Sequence, residues 1–158
     1  MLILALESAI TSQLTAALPD IQVLSFPADP AELGRPINSR QIYVGFKRKQ
    51  LTAPGKGLIG GRVPIQECNL EYELILRMQE LRSHQVSYPV MEAIEQALIG
   101  FRPDIGTIDD FLTTAFYGTD SGFVDFGAGL WLYSMSFAIG AIFKSKAQQF
   151  WANQPISK

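Results

Sequence analysis

Residues that carry chemistry are scarce in this 158-residue chain, which contains one cysteine and one histidine. The single cysteine, Cys68, excludes an intrachain disulfide and a cysteine-based zinc site, because both require further cysteines. Because His84 is the single histidine, a multi-histidine metal site is excluded. His84 lies in a polar turn, and a catalytic triad around it would need a well-placed nucleophile, which the sequence does not indicate. We therefore expect no catalytic residue, no bound metal and no cofactor.

Charged residues are also few, at 18% of the sequence against about 25% in an average globular domain. Hydrophobic residues make up 47%. This composition indicates apolar surface that is covered by other proteins, by further copies of the chain or by lipid. The net charge of −2 argues against a dedicated nucleic-acid-binding domain, which is usually strongly basic.

The uncharged stretch over residues 126–143 is at the lower limit of length for a membrane-spanning helix. However, bulky side chains recur there at every second position from Trp131 to Ile139, which is typical of a strand. Three glycines in the same stretch further disfavour a helix. We therefore expect a long core strand and no membrane contact, with membrane association through 126–143 as an alternative.

Hydrophobic periodicity predicts two helices and five strands in the order α-β-β-β-α-β-β. The helices cover the first eighteen residues and 88–99, the second capped by Ser87 and ended by Gly100. The strands cover 21–26, 40–46, 70–79, 111–117 and 122–139, the last two forming a hairpin around Gly118–Ser121. These elements predict an α+β fold, a two-layer sandwich in which two helices cover one face of an antiparallel sheet of about five strands.

No linker or internal repeat divides the chain, so we expect one domain over residues 1–146 and a peripheral tail over 147–158. An irregular segment over 47–66 is too long for an ordinary connection and predicts a basic arm. It contains Gly55–Gly60, which matches the G-x-G-x-x-G pattern of dinucleotide-binding loops. Neither a strand before this motif nor a helix after it is predicted, so we expect a flexible loop.

Basic and acidic residues are separated along the chain. Residues 34–66 contain seven basic residues and no acidic one, whereas residues 67–125 contain eleven acidic and three basic residues. One interpretation is a solvated basic loop beside an acidic body. The other is contact between unlike patches of neighbouring copies, which closes into rings or continues as filaments. The second interpretation makes these charged residues the candidate protein interface: Lys47, Arg48, Lys49, Lys56, Arg62, Glu71 and Glu73.

Glu71 and Glu73 point to the same face of the third predicted strand, about 7 Å apart by strand geometry. Two carboxylates at such a separation could in principle form a glycosidase pair. No aromatic platform for a sugar accompanies them in the sequence. A solvated face or a face between subunits is the better interpretation.

The element order, the basic arm after the second strand and two short signatures together resemble a known family. One signature is the helix end Leu98–Pro103, and the other is Trp131-Leu132-Tyr133 ahead of Phe137. The opening helix that leads into Phe26-Pro27 adds to the similarity. Over residues 3–140 the chain resembles small tail proteins of contractile-tailed phages, in particular the Mu-like family allied to tail terminators.

The resemblance implies a homo-oligomeric ring, a hexamer, that caps the head-proximal end of a tail tube, ends its polymerisation and joins the tail to the neck. The implied partners are the tail tube protein, a neck or connector protein and, in contractile tails, the sheath protein. DNA would pass through the lumen without specific recognition. The implied location is the tail or neck of the virion, and the host cytoplasm during assembly. The alternative is another structural tail, neck or baseplate component of a phage or contractile injection system.

Overall fold

The computed structural model describes residues 1–35, 39–52, 65–79, 84–105, 111–127 and 130–144. The elements are α1 (Leu2–Ala17), β1 (Gln22–Ser25), β2 (Gln41–Leu51), β3 (Ile65–Gln79), α2 (Tyr88–Leu98), β4 (Phe111–Thr113), β5 (Tyr117–Gly127) and β6 (Leu130–Lys144). Short 3-10 turns lie at Pro30–Gly34 and His84–Val86. The predicted α+β class is confirmed, since the described residues form two α-helices and one sheet.

Both helices form on apolar stripes of helical spacing. The buried residues of α1 are Leu2, Leu6, Ile10 and Leu14, and those of α2 are Val90, Ile94 and Leu98. The Gln13 side-chain amide of α1 donates a hydrogen bond of 3.1 Å to the Ala97 carbonyl of α2, which ties the two helices together. After α2, Gly100 adopts a φ of +83°, a left-handed conformation that favours glycine and ends the helix as predicted.

The predicted cap of α2 by the Ser87 side chain is wrong. Ser87 occupies the N-cap position, but its side chain makes no capping hydrogen bond. Its backbone has helical angles, with φ −78° and ψ −32°, whereas a capping side chain needs an extended backbone at that position. The Ser87 hydroxyl is instead buried, without a hydrogen-bond partner in the described part of the chain.

The sheet has six strands in the order β1-β2-β3-β6-β4, and β5 also pairs with β6. Because β3 occupies one edge of β6, β4 and β5 share the other edge, at opposite ends of that strand. The central strands β3 and β6 are antiparallel over their full length of fifteen residues. The period of two predicted for both strands is confirmed, since Tyr72 and Leu74 lie opposite Phe137 and Met135 on the face that the helices cover.

One pair of strands departs from the predicted antiparallel sheet. β1 pairs with β2 in parallel, from Gln22 opposite Gln41 to Ser25 opposite Val44. The connection between them, which contains Pro27 and the 3-10 turn at Pro30–Gly34, is longer than a hairpin turn and lets the chain return to the start of the next strand. The sheet is therefore mixed.

The predicted irregular segment over 47–66 is wrong at both ends. Lys47–Leu51 continues β2, where Arg48 lies opposite Glu71 and Leu51 lies opposite Cys68. Ile65 already begins β3, because it pairs with Lys144 of β6. The rest of the predicted arm, with Gly55–Gly60, lies outside the described residues. So does the predicted tail over 147–158.

The predicted turn at Gly118–Ser121 is also wrong, because these residues lie within β5. Their turn-like composition is accommodated by a register shift between Gly118 and Asp120, and the connection to β6 follows Gly127. β6 runs through most of the uncharged stretch as a strand. Across the described ranges, no helix is both long and apolar enough to cross a membrane.

Candidate protein interface

The sheet face opposite the helices, here called the polar face, contains a charged cluster where β2 and β3 are irregular. The register shifts between Phe46 and Arg48, so Lys47 is the extra residue of a bulge. Lys47 Nζ lies 3.1 Å from Glu71 Oε1 and donates to Ser136 Oγ at 3.0 Å. Arg48 Nε donates to the other carboxylate oxygen, Glu71 Oε2. The bulge therefore directs two consecutive basic side chains at one carboxylate.

Glu71 is the acidic centre of this cluster and is only 7% exposed. Burial by itself raises the pKa of a carboxyl group, but the hydrogen bonds and charges of Arg48 and Lys47 outweigh it, and the pKa of Glu71 lies below its ordinary value. The side chain is therefore ionised at neutral pH. An ionised, doubly paired carboxylate is suited to holding strands together and unsuited to donating a proton.

Glu73, two residues further along β3, has a different partner. Ser134 of β6 donates its hydroxyl to Glu73 Oε1 at 2.6 Å. The two glutamates thus share the polar face, as predicted, but each is bonded to a separate set of side chains. Together they connect β2, β3 and β6 across the polar face.

A buried arginine, Arg77, organises the other end of the polar face and is 1% exposed. Its guanidinium donates to Gln41 Oε1 at 3.0 Å, to the Tyr43 hydroxyl at 3.2 Å and to the backbone carbonyl of Arg35. It also stacks over the Tyr43 ring, 5.5 Å from the ring centroid. Among the described residues Arg77 pairs with no carboxylate. Its role is to fasten the segment before β2 onto the sheet.

Aromatic packing covers the same end of the polar face. The Phe26 ring lies 6.4 Å from the Tyr43 ring, centroid to centroid. It rests on Gly45, where any added Cβ atom would overlap the ring. The segment after β1 is therefore held by the ring contact as well as by Arg77.

The seven residues predicted for the interface fall into three groups. Lys47, Arg48 and Glu71 are brought into one cluster, with Glu73 beside it. Lys49 is exposed on β2 opposite Leu70. Lys56 and Arg62 lie outside the described residues. The period of two along β6 and β3 puts Ser134, Ser136 and Arg77 on the polar face, but it does not predict their hydrogen-bond partners.

Metal and thiol chemistry have little support in this part of the chain. The described residues hold no group of three or more histidine, cysteine or acidic side chains arranged around a metal position. Cys68 is a free, buried cysteine. Burial raises the pKa of its thiol, against the opposing effects of Lys49 and of a hydrogen bond from the Ala141 backbone. A protonated, buried thiol is a packing residue.

Comparison with known proteins gives one family and one fold. A family model described as "Gp37 protein" matches residues 10–155. A chain of a solved particle, the virion of a native gene transfer agent, shares the fold with a TM-score of 0.56 at 11% sequence identity. The alignment covers 89% of this chain and 95% of that one. No curated protein matches the sequence.

Proposed function

This chain belongs to the Gp37 protein family, and from that premise we propose that it is a structural protein of a phage or of a phage-like particle. The observation that carries the proposal is the match to the virion chain, which extends over nearly the whole of both proteins. A partial match would indicate a shared motif, whereas this coverage indicates that the two chains share a whole fold. The polar face, bonded within the chain rather than open to a substrate, supports the same role.

The finer role that we propose is that of a tail terminator. Copies of the chain would form a ring, a hexamer, on the head-proximal end of the tail tube. The ring would occupy the growing face of the tube, which ends polymerisation, and would present its other face to the neck or connector protein and, in a contractile tail, to the sheath. This mechanism is steric and electrostatic and needs no catalytic group. DNA would pass through the lumen without base contacts.

The ring is supported by the separation of charge along the chain. Neighbours in a cyclic ring meet through two different patches, so a subunit needs a pair of complementary surfaces. Unlike charges on those surfaces favour the correct contact and disfavour contact between like patches. The basic end of β2 and the acidic strand β5 are two such surfaces.

Removal of the gene from its phage or prophage tests the terminator role. Without a terminator, tube polymerisation has no stop, so we expect tubes of irregular and excessive length in electron micrographs, and no joining of tails to heads. Supplying the wild-type gene from a plasmid should restore tails of one length. Tails of normal length, or particles that lack a baseplate or a tube, would instead assign the protein to another part of the particle.

A further inference from the structure

The sheet has two open edges on opposite sides. On one side, β1 covers β2 only from Gln41 to Val44, and no other described strand pairs with that edge as β2 continues to Leu51. On the other side, β5 pairs with β6, and within the described chain no strand pairs with its outer edge from Tyr117 to Gly127. Open edges expose backbone donors and acceptors that readily pair with another strand.

The two edges carry charges of opposite sign. The basic residues of β2 are Lys47, Arg48 and Lys49, and this strand contains no acidic residue. β5 contains Asp120 and Asp125 and no basic residue. Glu71 offsets part of the charge of Lys47 and Arg48, but the end of β2 keeps an excess of positive charge. The edges are thus complementary between copies.

The edge of β5 has two register shifts against β6 and two aspartates, but it lacks the other usual protections against pairing. Natural edge strands are short or carry lysine, proline or strong bulges. β1, at the other side of the sheet, has four residues and is followed closely by Pro27. β5 has eleven residues, no lysine and no proline, and its Phe123 and Val124 are 50% and 54% exposed. An open edge strand of this length, with two exposed apolar side chains, is available to a strand partner.

The directions of the strands also fit a head-to-tail contact. From β2 through β3 and β6 to β5 each pair is antiparallel, so β2 and β5 run in opposite directions. Rotation about an axis close to the strand direction keeps the direction of every strand. In a ring of such copies, β5 of one copy and β2 of the next are therefore antiparallel. Because β1 occupies part of the β2 edge, neighbouring copies must be offset along the strand direction. Closed sheets show the same kind of stagger, and it tilts their strands by roughly 35–45° from the axis.

We propose that β5 of one copy pairs edge to edge with Phe46–Leu51 of β2 in a second copy, which joins the sheets of neighbouring subunits. The proposal rests on the self-assembly that the proposed function requires, and it identifies the surfaces that assemble. Backbone hydrogen bonds supply the binding, and the aspartates of β5 facing the basic end of β2 select the partner edge. The polar-face cluster keeps β2 paired with β3 beside the residues of β2 that pair with the second copy.

Two charge-swapped variants of the full chain test this contact. T119K/D120K makes β5 basic, so both edges of that variant are basic. K49E/Q50E removes one basic residue and adds two acidic ones, so the end of β2 counted together with Glu71 becomes net negative, like β5. All four positions are exposed and lie outside the Lys47–Arg48–Glu71 cluster, so the fold should be kept. Circular dichroism and thermal unfolding of each variant provide the check.

Analytical ultracentrifugation and negative-stain imaging give the readout. We expect the wild-type chain to form rings. Each variant alone should need at least a tenfold higher protein concentration to assemble. The one-to-one mixture should restore rings in which the two variants alternate. Two well-folded variants that assemble separately like the wild type, or a mixture that fails to assemble, would overturn the edge contact while leaving the ring itself intact. A wild-type chain that stays monomeric at every concentration, even with tube protein present, would contradict the edge contact and the proposed function together.

Discussion

Lys47 Nζ lies 3.1 Å from Glu71 Oε1, and this contact exists because Lys47 is the extra residue of a bulge in β2. The same carboxylate receives a hydrogen bond from Arg48, so two of the basic residues predicted to face a neighbour are bonded within their own chain. The cluster holds the far ends of β2 and β3 together. A stiff, basic strand end is a better surface for a neighbouring subunit than a flexible arm.

Replacement of Glu71 by glutamine should destabilise the protein by about 1–2 kcal/mol at pH 7. This range lies between the values typical of an exposed ion pair and of a buried hydrogen bond to a charged group. E73Q is the matched control on the same strand face, because Glu73 is bonded to a serine hydroxyl rather than to two cations. Urea unfolding of both variants at pH 7 measures the difference.

The effect of Glu71 should depend on pH in a defined direction. Its pKa is lower in the folded chain than the ordinary value of 4.5, so the ionised group stabilises the fold above that pH. The contribution is lost as the pH falls through the folded pKa. The difference in unfolding free energy between wild type and E71Q should therefore disappear at low pH. A difference that stays constant down to pH 2 would contradict the ion-pair cluster.

Replacement of Arg77 by methionine should destabilise the fold by about 2–4 kcal/mol. The substitution removes one buried hydrogen bond, to Tyr43, and two part-buried ones, to Gln41 and the Arg35 carbonyl, and a hydrogen bond from a charged group contributes about 1.5–3 kcal/mol. R102M removes an exposed arginine and should change stability by less than about 0.5 kcal/mol. Hydrogen exchange should also speed up in the segment from Phe26 to Arg35. Equal stability of R77M and R102M would contradict the role given to Arg77.

Gly45 should not tolerate even one added methyl group. A Cβ atom there would overlap the Phe26 ring, so G45A should cost about 1–3 kcal/mol through overpacking. Gly122, in β5, has no atom within 4 Å of an added Cβ, so G122A is a matched control with little expected effect. Thermal unfolding of the two variants gives the comparison. If G45A unfolds at the same temperature as G122A, Phe26 does not pack against the sheet as described.

The Cys68 thiol should react slowly with a thiol reagent in the native protein. It is 2% exposed, and its raised pKa keeps it protonated at neutral pH. We expect labelling by a maleimide to be at least a hundredfold slower in buffer than in 6 M guanidinium chloride. Rapid labelling of the folded chain would show that the ends of β2 and β3 open readily.

The helices and the central strands could be predicted from the sequence because their signals are local. Apolar residues recur every four positions in α1 and every two positions in β3 and β6. These spacings indicate directly which face of each element is buried. Pairing direction is not local, and so the parallel β1 was missed. The turn predicted at Gly118–Ser121 failed because a bulge within a strand uses the same residue types as a turn.

The positions of the predicted interface residues on the sheet could be foreseen only in part. The alternation of side chains along a strand predicts Glu71 and Glu73 on one face, and the structure places them there. The pairing of Glu71 with Lys47 and Arg48 depends on a one-residue register shift, which no periodicity reveals. The three acceptors of Arg77 come from β2 and from the segment before it, so the sequence could not identify them.

The most direct test of the central claim is the position of the protein in an assembled particle, determined by cryo-electron microscopy of complete virions at side-chain resolution. We expect a single ring of copies between the last ring of the tail tube and the neck, with β5 of each copy beside β2 of the next. Density for this fold along the whole tube, in the baseplate, or nowhere in the particle would contradict it.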